Sequence, residues 1–144
     1  MRIDKHDYYL KIADTVSLRG TCLRRNYGAV IVKDDEIIST GYTGSPRGSI
    51  NCCDVGICER KKQKIPHGSN YELCESVHAE MNAIISASRK DMLGATLYLS
   101  GRNADGSFIY SPTPCRICSR MIKNAGIQRV IIKSKEGNEQ IWYV

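Results

Sequence analysis

Apolar residues return at helical spacing from about Asp4 to Leu18, where Tyr8, Ile12 and Thr15-Val16 share a side with Lys5, Lys11 and Asp14 between them. The pattern predicts an amphipathic helix closed by Gly20. The period then changes. Tyr27 to Lys33 and Glu36 to Tyr42 are rich in β-branched residues and meet at Asp34-Asp35, which reads as a β-hairpin. Residues 43 to 75 lose periodicity and collect Gly44, Pro46, Gly48, Gly56, Pro66, Gly68 and four cysteines. A structureless stretch of that length is uncommon in a compact domain unless it is functional or stapled. Ser76 to Arg89 reads as a helix with Val77, Met81, Ile84, Ile85 and Ser88 along one side. Thr96 to Ser100 is a short strand, Gly101 to Ser111 a polar loop, and Pro114 to Asn124 a second helix with Gly126 past its end. Arg129 to Lys133 and Ile141 to Val144 complete the strands. The order α-β-β-α-β-α-β, with an edge strand at the end, predicts an α/β chain: a mixed sheet with helices on its faces.

Composition narrows this picture. A length of 144 residues fits a single domain, 1–144, with the irregular insert at about 43–75. Hydrophobic residues at 42% and charged residues at 25% exclude disorder and fibrous repeats. The longest apolar runs, such as Ala29-Val30-Ile31-Val32, are too short to span a bilayer, and Met1 to His6 lacks the apolar stretch of a secretory signal. The expectation is a soluble, cytoplasmic protein. A net charge of +6 suits an anionic partner but equally a plain basic surface. The densest cluster, Arg60-Lys61-Lys62-Gln63-Lys64, reads as a solvated loop or helix. Seven cysteines cannot all pair, and where thiols stay reduced a cluster of them points to metal before disulfide. A free buried thiol is the plain alternative for any one of them.

The chemistry gathers in two places. His78-Ala79-Glu80 and Pro114-Cys115-Arg116-Ile117-Cys118 each open a predicted helix, with 34 residues between Glu80 and Cys115. Cys115 and Cys118, three apart, lie on one helix face and can share an ion. His78 and Glu80, two apart, would point ~200° apart on a regular helix, so they converge only at a point over the helix end. The helix dipole there is expected to favour the thiolates. One His and two Cys leave a zinc ion one ligand short of a closed structural site. The open position takes water, whose pKa zinc lowers toward ~7, and a carboxylate such as Glu80 can then move protons. H-x-E followed by P-C-x-x-C is the established signature of zinc-dependent base deaminases.

With Tyr27-Gly28-Ala29-Val30-Ile31-Val32, Gly41-Tyr42-Thr43-Gly44-Ser45-Pro46-Arg47-Gly48, Cys52-Cys53-Asp54, Val77 to Ile84 and Thr113 to Cys118, the chain resembles bacterial deoxycytidylate (dCMP) deaminases of the cytidine deaminase-like superfamily. The resemblance implies a three-layer α/β/α sandwich around a mixed sheet of about five strands. It implies catalytic zinc on His78, Cys115 and Cys118, with Glu80 as proton shuttle for hydrolysis of dCMP to dUMP and ammonia, which supplies dUMP for dTMP synthesis. Ala79, Thr113 through its carbonyl, Thr43 and Arg47 are the implied substrate contacts. Thr43 departs from the family's usual asparagine; it keeps a hydroxyl but not the amide's two-sided reach.

The resemblance also implies a second, structural zinc on Cys22, Cys52, His67 and Cys74, with Cys53, Cys58 and Glu75 as competitors. Further implied are a homo-oligomer, hexamer or dimer, activation by dCTP and inhibition by dTTP. Rival readings are a deaminase of free nucleosides or of nucleic acid, and a non-catalytic zinc-binding module. Against nucleic acid, no aromatic-plus-basic stripe is visible for stacking a strand.

Overall fold

In a computed structural model describing residues 1–144, five strands form one sheet in the order β2-β1-β3-β4-β5. The strands are β1 (Arg25–Lys33), β2 (Glu36–Tyr42), β3 (Thr96–Asn103), β4 (Arg129–Lys133) and β5 (Glu139–Tyr143). β1 pairs antiparallel with β2 and β3, β3 runs parallel to β4, and β5 returns antiparallel, so the sheet is mixed. The hairpin joining β1 and β2 turns on Asp34 and Asp35, both at positive φ, as a two-residue turn of the primed type demands. β3 outruns its expected end because Arg25 to Tyr27 of β1 pair with Gly101 to Asn103, drawing that polar segment into the sheet.

The period of two along the strands sorts side chains to opposite faces. Ala29, Ile31, Leu97, Leu99, Val130 and Ile132 pack on one side with residues of the helices α4 (Ala79–Ile85), α5 (Arg89–Met92) and α6 (Arg116–Asn124). Val30, Val32, Tyr98 and Ile131 pack on the other against α1 (Lys5–Ser17). The result is the three-layer α/β/α arrangement, and no helix is long and apolar enough to cross a membrane.

The helices sit differently from the periodicity reading. α1, capped by Asp4, buries Tyr9, Leu10, Ala13 and Ser17, while Tyr8 is exposed. Two small residues face the sheet because Gly28 passes directly beneath them: a Cβ there would stand 2.0 Å from the Ala13 carbonyl oxygen. The segment expected as one helix from Ser76 to Arg89 is α4 and α5 separated by a turn, and Val77 pairs instead with Gly44 as an extended bridge. α4 buries Ala79 and Ala83 and leaves Ile85 to solvent. The insert holds two single-turn helices, α2 (Cys52–Val55) and α3 (Glu59–Lys62), and a 3-10 turn at Tyr71–Leu73.

Candidate active site

His78 and Cys115 occupy equivalent positions: each is the N-cap residue of its helix, with extended backbone. This resolves the ~200° separation expected of His78 and Glu80 on one helix. His78 stands outside α4, so its ring reaches over the helix end, while Glu80 lies in the first turn. On α6 the Cys115 sulfur caps by accepting from the Cys118 amide at 3.4 Å, which folds the two thiols toward each other. The His78 Nδ1 lies 3.5 Å from the Cys115 sulfur and 3.3 Å from the Cys118 sulfur.

These spacings fit a metal. Zn–N and Zn–S bonds of about 2.0 and 2.3 Å in a tetrahedron place N and S roughly 3.5 Å apart. All three donor atoms lie within 4.8 Å of one another, and no other three His, Cys, Asp or Glu donors are so gathered. Burial, aided by the Arg60 charge, holds the His78 imidazole below its ordinary pKa, so the ring is neutral and able to ligate near pH 7. Burial pushes the Cys118 thiol up, and the neighbouring Glu80 and Cys115 charges add to it. The dipole effect expected at the helix end is thus overridden for Cys118, and a cation must displace its proton. Zinc affinity of the metal-free protein is therefore expected to rise about ten-fold or more per pH unit between pH 6 and 8. Chelator competition measures it; a flat profile contradicts the arrangement.

Glu80 is 5% exposed and forms no ion pair. Burial pushes its carboxyl above the usual range. It lines, with His78 and Cys115, a cavity of about 470 Å³, inside the roughly 300–1,000 Å³ range of small-molecule sites. Tyr27, Tyr71, Leu99, Ile109 and Tyr110 supply apolar wall, and Glu80 is the one acidic residue among the lining. Arg24, Arg25 and Arg60 make the rest of the cavity cationic.

Among the other expected contacts, Thr43 is buried in the cavity wall, where its hydroxyl oxygen accepts from the Tyr27 amide at 3.0 Å. Its own proton is free for a ligand. Thr113 lines the cavity, and Ala79 is the first residue of α4, with an amide that finds no main-chain acceptor. Arg47 is exposed on the turn that follows Pro46 and is not part of the lining. Arg24, just before β1, and Arg25, its first residue, carry no sequence signal of this placement, because nothing in the sequence shows that this end of the strand opens on the cavity. Arg60, expected in a solvated segment, is 7% exposed.

The second group of thiols is looser. Cys22, Cys58, His67 and Cys74 share the cavity wall, and the Cys53 amide donates to the Thr21 carbonyl, stitching the insert to the Cys22 loop. Burial raises the Cys52 thiol pKa against a Ser76 hydrogen bond that lowers it, the neighbouring Cys22, Cys74 and Cys58 adding to the rise, and His67 is exposed. The donors expected for a second metal are not brought within 4.8 Å.

The description "cytidine and deoxycytidylate deaminase zinc-binding region" applies to the family whose model matches residues 3–134, the span that holds every residue of this site. The chain belongs to that family. Within it, the chain is 37% identical over 135 residues to the deoxycytidylate deaminase of Mycobacterium phage D29, covering 90% of this chain and 94% of that one. It is 34% identical to the deoxycytidylate deaminase of Schizosaccharomyces pombe, covering 86% of this chain but only 35% of that longer protein. Among solved structures, the dCMP deaminase of cyanophage S-TIM5, in complex with dCMP and dUMP, superposes with a TM-score of 0.63 at 27% identity, over 90% of this chain and 81% of that one. A zinc-dependent deaminase domain is what the three donors and Glu80 make here.

Proposed function

We propose that residues 1–144 form one deaminase domain that hydrolyses dCMP to dUMP and ammonia, supplying dUMP for dTMP synthesis. The observation that carries the reading is the shape of the charge. A buried, unpaired carboxylate stands beside a three-donor metal site, in a cavity whose other charged residues are arginines. Support comes from the phage and fungal relatives and from the S-TIM5 structure.

His78, Cys115 and Cys118 would hold zinc, which when bound supplies the Lewis acidity that makes water nucleophilic near pH 7. Glu80 would take one proton from the attacking water and pass it to N3 of the cytosine, then take the second from the new C4 hydroxyl and pass it to the departing amino group. Water adds at C4, the C4–N bond breaks, and the ring is left with a carbonyl. In this reading the Thr113 carbonyl accepts from the exocyclic amine, the Ala79 amide donates to the base and the Thr43 hydroxyl donates to the sugar; the lining positions of Thr43 and Thr113 and the uncommitted Ala79 amide support it. A second, structural zinc on Cys22, Cys52, His67 and Cys74 belongs to the same reading, with Cys58, which lines the same cavity as His67, as the competing fourth ligand. The family resemblance alone supports a cytoplasmic homo-oligomer, hexamer or dimer, activated by dCTP and inhibited by dTTP.

The phosphate falls to Arg24 and Arg25 rather than Arg47. Both line the cavity and neither guanidinium has a protein partner, whereas Arg60 is committed to loop carbonyls. A charge-assisted hydrogen bond is worth about 1.5–3 kcal/mol. Arg24→Ala is therefore expected to raise KM for dCMP at least about ten-fold with little change in kcat, and to leave deoxycytidine turnover as it was. Arg47→Ala is expected to change neither. Steady-state kinetics on both substrates decides; an Arg47 effect with silent Arg24 and Arg25 reverses the assignment.

A further inference from the structure

We propose that Arg60 and Tyr71 form a strut through which the cysteine-rich insert positions the ring of His78. The proposal rests on the reading of His78 as a metal ligand and adds two positioning residues to it.

Arg60 is out of keeping with its surroundings. Its neighbours Glu59, Lys61 and Lys62 on α3 are exposed, yet Arg60 is buried, and no carboxylate pairs with it. A buried guanidinium without a counter-ion is costly and needs its donors satisfied. Here one arm donates to the Asn70 carbonyl and the other to the Pro66 carbonyl, each at 2.9 Å. The two acceptors bracket a tight loop in which Gly68 and Asn70 both take positive φ, so the fork pins the turn from both sides. Its Cζ lies over the Tyr71 ring, 5.3 Å from the ring centre and within cation–π range. Tyr71 in turn meets the His78 imidazole edge to face, with ring centres 5.4 Å apart and planes at 86°.

The far side of His78 gives this contact its purpose. Nδ1 faces the two thiols, and the other ring nitrogen has no hydrogen-bond partner in the protein. Metal-ligating histidines are ordinarily held by a carboxylate, carbonyl or water at that second nitrogen. In this chain no protein carboxylate or carbonyl does so, and the Tyr71 ring, braced by Arg60, limits the imidazole's rotation. The order of the insert's last loop is thereby transmitted to the metal site through packing.

The test uses the full chain loaded with zinc and labelled with histidine carrying 15N in the ring alone, which yields only the imidazoles of His6, His67 and His78. The His78 signals and the rate of zinc release to excess chelator are read together for Tyr71→Phe, Tyr71→Leu, Arg60→Lys and Arg60→Met. Tyr71→Phe keeps the ring and is expected to match the unaltered protein. Tyr71→Leu and Arg60→Met are expected to shift or broaden the His78 signals and to speed zinc release roughly ten- to hundred-fold. Arg60→Lys should fall between, since a compact ammonium cannot hold both carbonyls in the fork geometry of the guanidinium while standing over the ring. His78 signals and zinc release unchanged in Tyr71→Leu overturn the strut, whatever happens to thermal stability. If Arg60→Met fails to fold, the Tyr71 pair decides, because both variants leave the Arg60 bonds in place. If zinc does not move the His78 signals even in the unaltered protein, the metal reading falls and the strut falls with it.

Discussion

Glu80→Gln is expected to lower kcat for dCMP by about 10²–10⁴-fold while zinc content, fold and KM stay close to those of the unaltered protein. Glutamine preserves the shape of the side chain and can still hydrogen-bond, but it cannot take a proton and return it. The carboxylate is 5% exposed, has no cationic partner, and is driven by burial toward its protonated form. Burying such a group costs stability, so its retention points to use rather than to packing. Thermal melting of the zinc-loaded variant should be no lower than that of the parent, since the substitution removes a buried ionisable group that is costly to desolvate. A variant keeping more than a tenth of the parent kcat would remove Glu80 from the proton path.

Gly41→Ala is expected to be nearly as damaging for a different reason. A Cβ at that position would stand 2.3 Å from the Ala83 amide nitrogen and 2.4 Å from the Ala79 carbonyl oxygen, both main-chain atoms of α4. Backbone cannot swing aside as a long side chain can, so β2 and α4 must separate. Overpacking of this kind costs typically 1–3 kcal/mol and occasionally more. The displaced element carries Glu80 in its first turn and His78 at its cap, so zinc affinity and kcat should fall together with stability. Denaturant unfolding and zinc titration check this. Unaltered stability and zinc affinity would show that the close approach of β2 does not position the site.

What the sequence disclosed, and what it hid, follows from the range over which each feature is determined. The two-residue Asp34-Asp35 turn and the flanking β-branched runs are local, and the hairpin falls where they place it. The metal donors were legible because chemistry constrains residue type and spacing at His78, Glu80, Cys115 and Cys118 more tightly than packing does. The start of α4 was misread because His78 is not a usual cap residue and Val77 carries on the apolar pattern, although it is drawn into a bridge with Gly44. The buried face of α1 was shifted by one position because Tyr8 and Tyr9 are equivalent to any periodicity argument until Gly28 selects the small side chains of Ala13 and Ser17. Arg60 lay wholly out of reach. Its burial depends on carbonyls six and ten positions away in a loop without repeating pattern, and a run of four cations in five residues reads as solvent-facing.

The most direct measurement is product formation by the zinc-loaded chain on dCMP, deoxycytidine, CMP and cytidine, following loss of cytosine absorbance and release of ammonia, with dCTP present and absent. The account predicts one ammonia and one dUMP per dCMP consumed, a kcat/KM for dCMP at least about a hundred-fold above that for deoxycytidine, and no turnover in Glu80→Ala. Equal or better turnover of deoxycytidine, or none of the four substrates consumed, would contradict it.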